Sequence, residues 1–381
     1  MIPYGRQDIR QDDIDQVVDV LRSDFLTQGP RVPAFEAAVT AATGAAHAVA
    51  VNSATSALHI ACLALGLGRG DILWTSPITF VASANVGLLC GAGVDFVDIE
   101  PETFNMDPEA LAEKLAAAAR DGRLPKVLIP VHMCGQSCDM AAIGALAREY
   151  GVRVVEDASH AIGGRYQGGA VGDCRHSDIT VFSFHPVKIV TTAEGGVATT
   201  NDAELAVKMQ LFRSHGVTRD PALMQGESEG GWYYQQVELG LNYRMTELQA
   251  ALGVSQMARL EEYVGRRNML AERYDAALGN LPLKRPGRQP ETLSAFHLYV
   301  IRVEAARRRE VFDTLRQAGV GVNVHYIPVH LQPYYKALGF SAGMFPVAEA
   351  YYAGAISIPL FFGLSESDFD TVTREIEKAL A

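Results

Sequence analysis

Residues 178–200 read DITVFSFHPVKIVTTAEGGVATT, and this stretch decides what the chain can become. Ile179 to Phe184 is a run rich in β-branched and aromatic residues, the composition of a strand buried on both faces. A second strand pattern, GGVATT, closes the stretch. Between them lies Lys188, just past a buried strand and in an apolar, glycine-rich setting. Desolvation there lowers a lysine's pKa and frees its amine for Schiff-base chemistry. Taken alone, a lysine at that place is more simply a surface loop residue.

The neighbouring sequence repeats the strand pattern. AHAVAV, DILWTS, VDFVDI, KVLIPVH and VRVVED precede it, separated by helical stretches such as SATSALHIACLAL, PEALAEKLAAAAR and DMAAIGALAREY. This βαβ rhythm predicts an α/β fold with a mainly parallel central sheet and helices on both faces. Ligands in such sheets sit beyond the carboxyl ends of the strands. The pattern changes near Leu239. A long helical stretch starts at Thr246, followed by the break LPLKRPGRQPE and a smaller α+β segment from His297. The expected division is a large domain over 1–245 and a linking helix with a small C-terminal domain over 246–381. The first residues are expected to pack on the small domain.

The composition narrows the function. A chain of 381 residues, 48% hydrophobic and 20% charged, can bury a large core. With 33 basic and 44 acidic residues the net charge is −11, which leaves no electrostatic footprint for nucleic acid. A local basic pocket could still hold a small anion. MIPYGRQDIRQDD lacks the apolar stretch of a secretory signal, and SALHIACLALGLG is interrupted by His59 and too short to span a bilayer. The expectation is a cytoplasmic protein with no membrane contact. Of the five cysteines, Cys134 and Cys138 lie near His132, but no second ligand pair stands at zinc spacing. No metal site is expected.

Three further segments join Lys188. Asn52-Ser53-Ala54-Thr55-Ser56-Ala57 follows a strand and opens a helix, where amides and hydroxyls can grip a phosphate. An ordinary Ser/Thr cap would look the same. In VVEDASHA, Asp157 ends an apolar strand and can keep a pyridine nitrogen protonated, making the ring an electron sink. His160, three residues on, could touch that ring. In ELGLNYRM, Asn242 can donate to a phosphate, while Arg244 reads as a structural ion-pair residue. Phosphate cup, carboxylate and lysine follow one another at strand ends, and pyridoxal 5′-phosphate (PLP) needs those three roles.

As a set, SFHPVK with TTAEGG, EDASHA and the Asn-Tyr-Arg-Met segment resembles the DegT/DnrJ/EryC1/StrS sugar aminotransferases, of the aspartate-aminotransferase fold (fold type I). The resemblance runs from GRQDI to ISIPLFFGLSESDFD. It implies a homodimer with shared active sites. Lys188 would hold the cofactor and Asp157 would pair with the pyridine nitrogen. Ala54, Thr55 and Ser183 would hold the phosphate, with Asn242 reaching it from the neighbouring subunit. Phe80 would stack on the ring, and His160 would sit near the ring and its oxygen. NSATSALH, LFRSHGV and VHYIPVHLQPYY are most similar to the branch serving pseudaminic acid synthesis. That branch implies L-glutamate as donor and a UDP-linked 4-keto-6-deoxy-N-acetylamino sugar of the L-altro series as acceptor. His185, Arg213, His215, Arg219, His325 and His330 are candidate substrate contacts. Ile189, where many relatives carry Asn or Pro, bears on substrate preference. Another nucleotide-sugar 4- or 3-aminotransferase stays open, and so does a non-catalytic ligand-binding regulator. In the related sugar dehydratases a histidine replaces the lysine, so Lys188 argues against that activity.

Overall fold

A computed structural model describes residues 1–381. Its centre is a seven-stranded sheet built from the seven segments just read as strands. They are β1 (His47–Val51), β2 (Ile72–Thr75), β3 (Gly93–Phe96), β4 (Val127–Ile129), β5 (Arg153–Asp157), β6 (Ile179–Ser183) and β7 (Gly196–Thr200). The order across the sheet is β1-β7-β6-β5-β4-β2-β3. The pairs from β3 to β6 are parallel. β7 runs antiparallel to both β6 and β1. The link from Phe184 to Gly195 contains no helix to carry the chain back across the sheet, so β7 returns as a hairpin.

Alternate residues of each strand serve opposite layers. Val49, Val51, Val181 and Ala198 pack with Leu58, Ile60 and Met209, from helices α1 (Ala54–Ala64) and α2 (Ala203–Arg213). Ala48, Ala50, Phe182 and Val197 face the other way, against Phe35, Val39 and Ala250. Both faces are therefore covered, as a largely parallel sheet requires.

The helical stretch after Thr246 is two helices, α3 (Glu247–Met257) and α4 (Leu260–Ala277). No Gly or Pro marks the corner, so periodicity alone did not reveal it. Arg259 sits there, and its guanidinium reaches the buried Asp13 at 2.6 Å, pinning the N-terminal helix to the corner. Further on, strands Tyr299–Arg302 and Ala355–Ile358 pair antiparallel. Their inner residues share a core with Tyr274, Leu278, Val311, Leu315, Val372 and Ile376. The chain start joins this part: the Ile2 amide donates to the Gly319 carbonyl at 2.8 Å, and the Gly321 amide to the Ile2 carbonyl at 2.6 Å.

His132 and Cys138 are tied into hydrogen bonds rather than set out as ligands. The Cys138 amide donates to His132 Nδ1 at 3.2 Å, which leaves the ring proton on Nε2, 2.6 Å from Glu156. No three His, Cys, Asp or Glu side chains are grouped to hold a metal ion. No helix is long and apolar enough to cross a membrane.

Candidate active site

The carboxyl ends of β1, β5 and β6 open onto a cavity of about 540 Å³. One end of it is shaped for an anion. Ser53 caps α1, its hydroxyl accepting the Ser56 amide at 3.1 Å. The amides of Ala54 and Thr55, the first in the helix, have no acceptor. Such amides carry the partial positive charge of the helix N-terminus. Ser183 ends β6 beside them, paired across to Gly196. A Cβ on Gly196 would lie 2.5 Å from Ala54 N and from the Ser53 carbonyl. Only glycine lets β7 pass this close to the helix start.

Asp157 stands at the end of β5, 5% exposed. Its Oδ2 accepts from the Ser83 hydroxyl at 2.6 Å and its Oδ1 from the Ser159 amide at 3.1 Å. Thr79 lies 2.7 Å behind Ser83, so its hydroxyl donates along the same chain. The carboxylate is thus held rigid in a buried place without a salt bridge of its own.

Lys188 enters from the β6–β7 loop. That loop is closed at its base: the Phe184 amide donates to the Gly195 carbonyl at 3.0 Å, and the Thr192 amide to the Phe184 carbonyl at 2.9 Å. Lys188 remains partly exposed through the cavity, yet burial among its neighbours pushes its ammonium down to about 8, with Asp157 opposing the shift. Its amine is therefore far more available near neutral pH than an ordinary lysine's.

The remaining wall is aromatic. His160 Nε2 lies 3.2 Å from the Tyr326 hydroxyl, and the His160 and His297 rings are 4.4 Å apart. Burial, then the nearby Lys188, pushes both imidazoles well below their ordinary range. The same two causes bring His325 down to about 4. Burial raises the Tyr326 phenol. These rings are uncharged at neutral pH. The half-exposed Phe80 lies across from Tyr326, ring centroids 6.2 Å apart.

The cavity therefore gathers Ala54, Thr55, Phe80, Asp157, His160, Ser183, His185, Lys188 and His325. It does not gather the others. Arg213 donates to Glu36 at 2.6 Å and to the Ala50 carbonyl at 2.9 Å, so it forms the structural ion pair expected of Arg244, which forms none. His330 is fully buried, 3.0 Å from Glu349 and packed on Phe345. His215 and Arg219 are exposed and do not line the cavity. Asn242 bridges to Ser214, outside its own chain's cavity. Ile189 turns into the core beneath the loop, away from any substrate. Tyr4, Thr79, Asn323, His297 and Tyr326 also line the cavity, with no sequence pattern to mark them as site residues. Four of them come from the first residues or the C-terminal part, where no strand-end rule applies.

The amide cradle, the isolated carboxylate and the depressed lysine fit PLP, whose phosphate, ring nitrogen and aldehyde need those three groups. Comparison with known proteins agrees. Residues 7–377 match the DegT/DnrJ/EryC1/StrS aminotransferase family. The chain is 40% identical to the spore coat polysaccharide biosynthesis protein SpsC of Bacillus subtilis, over 98% of this chain and 96% of that one. It is 36% identical to a UDP-4-amino-4,6-dideoxy-N-acetyl-beta-L-altrosamine transaminase of Campylobacter jejuni, over 99% and 98%. The solved PMP-form of the putative sugar aminotransferase Spr1654 from Streptococcus pneumoniae superposes with a TM-score of 0.92, at 32% identity, covering 100% of this chain and 99% of that one. A match over nearly the whole length, in sequence and in fold, leaves one assignment: the chain belongs to the DegT/DnrJ/EryC1/StrS aminotransferase family and is a PLP-dependent sugar aminotransferase.

Proposed function

We propose that this enzyme transfers the amino group of L-glutamate to C4 of a UDP-linked 4-keto-6-deoxy-N-acetylamino sugar. The product would be UDP-4-amino-4,6-dideoxy-N-acetyl-β-L-altrosamine, made for pseudaminic acid in the cytoplasm. The observation that carries the aminotransferase chemistry is Lys188, its amine freed by burial, in one cavity with Asp157 and the α1 amide cradle. The choice of sugar rests on the 36% identity to the C. jejuni transaminase across nearly all of both chains.

PLP, when bound, supplies an electron sink and the carbon that carries the amino group between donor and acceptor. Ala54, Thr55 and Ser183 would hold its phosphate. Asp157 would keep the ring nitrogen protonated, with Ser83 and Ser159 stopping the carboxylate from turning away. Phe80 and His160, which line the same cavity, would border the ring. Lys188 Nζ takes a proton from the donor's Cα and returns one to the sugar carbon, which a base with a pKa near 8 can do in both directions.

We infer a homodimer with shared sites. Lys188 is the only lysine or arginine lining the cavity, and burial holds His160, His297 and His325 uncharged. Glutamate and a diphosphate bring several negative charges, so cations must arrive from outside the chain's own wall. Asn242 is exposed, and two apolar side chains, the half-exposed Phe25 and Leu26, lie beside the start of the helix that follows it, where the Glu247 amide donates to the Leu26 carbonyl. A twofold contact there would present Asn242 to the partner's phosphate cradle.

A second reading, amination of a different nucleotide sugar, is favoured by the 40% identity to SpsC. The two separate in one screen. Purified enzyme with glutamate is offered UDP-, dTDP- and GDP-linked 4-keto-6-deoxy sugars, and 2-oxoglutarate release is followed. Preference for the UDP-linked L-series N-acetylamino sugar supports the first reading; preference for a dTDP- or GDP-linked sugar replaces it with the second.

A further inference from the structure

Arg267, in α4, is 2% exposed and has no carboxylate partner. Its Nη1 donates to the carbonyls of Phe296, His297 and Leu360 at 3.1, 3.3 and 2.9 Å, while Nε has no acceptor. Burial pushes the guanidinium down to about 10. An unpaired buried cation is costly, and an apolar side chain would fill the space at less expense. What Arg267 holds therefore matters.

It holds the loop 294–297. The Ala295 amide donates to the Gly135 carbonyl at 2.9 Å, the Phe296 amide to Ser294 Oγ at 3.1 Å, and Asn268 Nδ2 to the Ser294 carbonyl at 2.9 Å. Phe296 itself has φ 47°, a left-handed conformation unusual for a bulky residue. On the other side Gly135, at φ 107°, leaves no room for a Cβ, which would sit 2.8 Å from the His160 carbonyl and the Phe296 nitrogen. These constraints seat His297, 4% exposed, against His160, 5% exposed, with the rings tilted by 48°. Nδ1 of each ring lacks a partner. His160 Nε2 shares a 3.2 Å hydrogen bond with the Tyr326 hydroxyl, its one side-chain partner.

The charges around this pair are unequal. His297 faces Lys188, His160, Arg267 and His325, all cationic when protonated. His160 faces Lys188 and His325, with the Tyr326 hydroxyl at Nε2 and Asp157 at the end of the strand leading to it. An imidazolium at either position would add a second cation beside Lys188.

We propose that Arg267 and His297 are positioning residues for His160: the Arg267 clamp and the uncharged His297 ring hold the His160 imidazole neutral, in one orientation, against the cofactor cavity. The inference rests on the reading of the cavity as the PLP site. Its consequence is that His160 offers the site a fixed neutral group across the working pH range.

The test reads the imidazole itself. Holoenzyme with ¹³C-labelled histidine is titrated by NMR from about pH 5.5 to 8.5, the range in which an ordinary histidine changes charge. The His160 signal is assigned by its loss in His160→Gln. In the wild-type enzyme His160 stays neutral throughout. His297→Ala opens space for water beside it, and the His160 midpoint then rises by at least about one unit into the observed range. The acid side of the kcat profile falls roughly tenfold with it. His297→Phe keeps a flat apolar ring and restores the silent His160. Arg267→Lys keeps a cation but loses the fork to three carbonyls, and moves the midpoint the same way by less. If the variants lower Tm while His160 stays silent and the kcat profile keeps its shape, the residues are structural only and the proposal falls. Should Arg267→Lys fail to fold, the two His297 variants decide. Failure of the cavity reading looks different: PLP would then be found on a lysine other than Lys188, whatever the ring titrations show.

Discussion

Gly196→Ala is the smallest change that should disable the cofactor cradle. The added Cβ would stand 2.5 Å from Ala54 N, Ser53 C and Ser53 O, all backbone atoms, where ordinary contact begins near 3.4 Å. The helix start and β7 must therefore separate by about 0.9 Å. Neither moves freely, because Gly196 is paired with Val51 on one side and Ser183 on the other. Overpacking of this kind costs about 1–3 kcal/mol of stability. The greater effect falls on the ligand. Hydrogen bonds to charged groups contribute about 1.5–3 kcal/mol each, and an ångström of misplacement loses most of one. Losing one amide contact of the Ala54–Thr55 pair predicts roughly ten- to hundredfold weaker PLP binding. The assay is equilibrium titration of cofactor-free enzyme with PLP, followed by absorbance, alongside thermal unfolding. Gly265→Ala is the control: it lies inside α4 with nothing within 4 Å of the new Cβ, so it should stabilise by about 0.5–1 kcal/mol and leave PLP affinity alone. PLP affinity unchanged in Gly196→Ala would show that the α1 cradle does not hold the phosphate.

Three other outcomes follow from the same geometry. Asp157→Asn keeps the Ser83 and Ser159 contacts in shape but loses the charge, so PLP should still bind while single-turnover amino transfer from glutamate slows by orders of magnitude; an unchanged rate would remove Asp157 from the chemistry. Lys188 has its pKa lowered from 10.5 to about 8 on folding, so between those values the unfolded chain binds more protons and stability of cofactor-free enzyme rises with pH. The penalty, complete below the folded value, is at most roughly 3 kcal/mol, and urea unfolding of Lys188→Met should lack that rise; parallel curves for the two proteins would contradict the shift. Mixing Lys188→Ala with Asn242→Asp chains, each inactive alone and shown to exchange, should restore about a quarter of sites if Asn242 serves the partner's cavity, and none if it serves its own.

The sheet was legible because each strand is a short apolar run set between helical patterns, and because β5 and β6 end in residues whose chemistry has no use in a core, Asp157 and Ser183. The reversal of β7 was less so: GGVATT reads as a strand in either direction, and only the helix-free link from Phe184 to Gly195 argues for a hairpin. The corner at Arg259 carries no breaker residue and was invisible to periodicity. In the site, the groups contributed by strand ends could be named, whereas His297, Asn323 and Tyr326 arrive on loops of the C-terminal part, where the amides of Ala295 and Val329 are anchored to the Gly135 and Pro77 carbonyls of the loops after β4 and β2. Charge alone also says little about Arg213 and His330. Both proved to have carboxylate partners within the fold, Glu36 and Glu349, that no spacing rule connects to them.

The central claim is that Lys188 carries the cofactor, and borohydride tests it directly. Reduction of the holoenzyme fixes the pyridoxyl group wherever PLP is attached, and proteolysis with mass analysis locates it. The geometry predicts one modified peptide, containing Lys188, and none in the Lys188→Ala enzyme. A pyridoxyl group on any other lysine, or stoichiometric labelling that survives Lys188→Ala, would contradict the account.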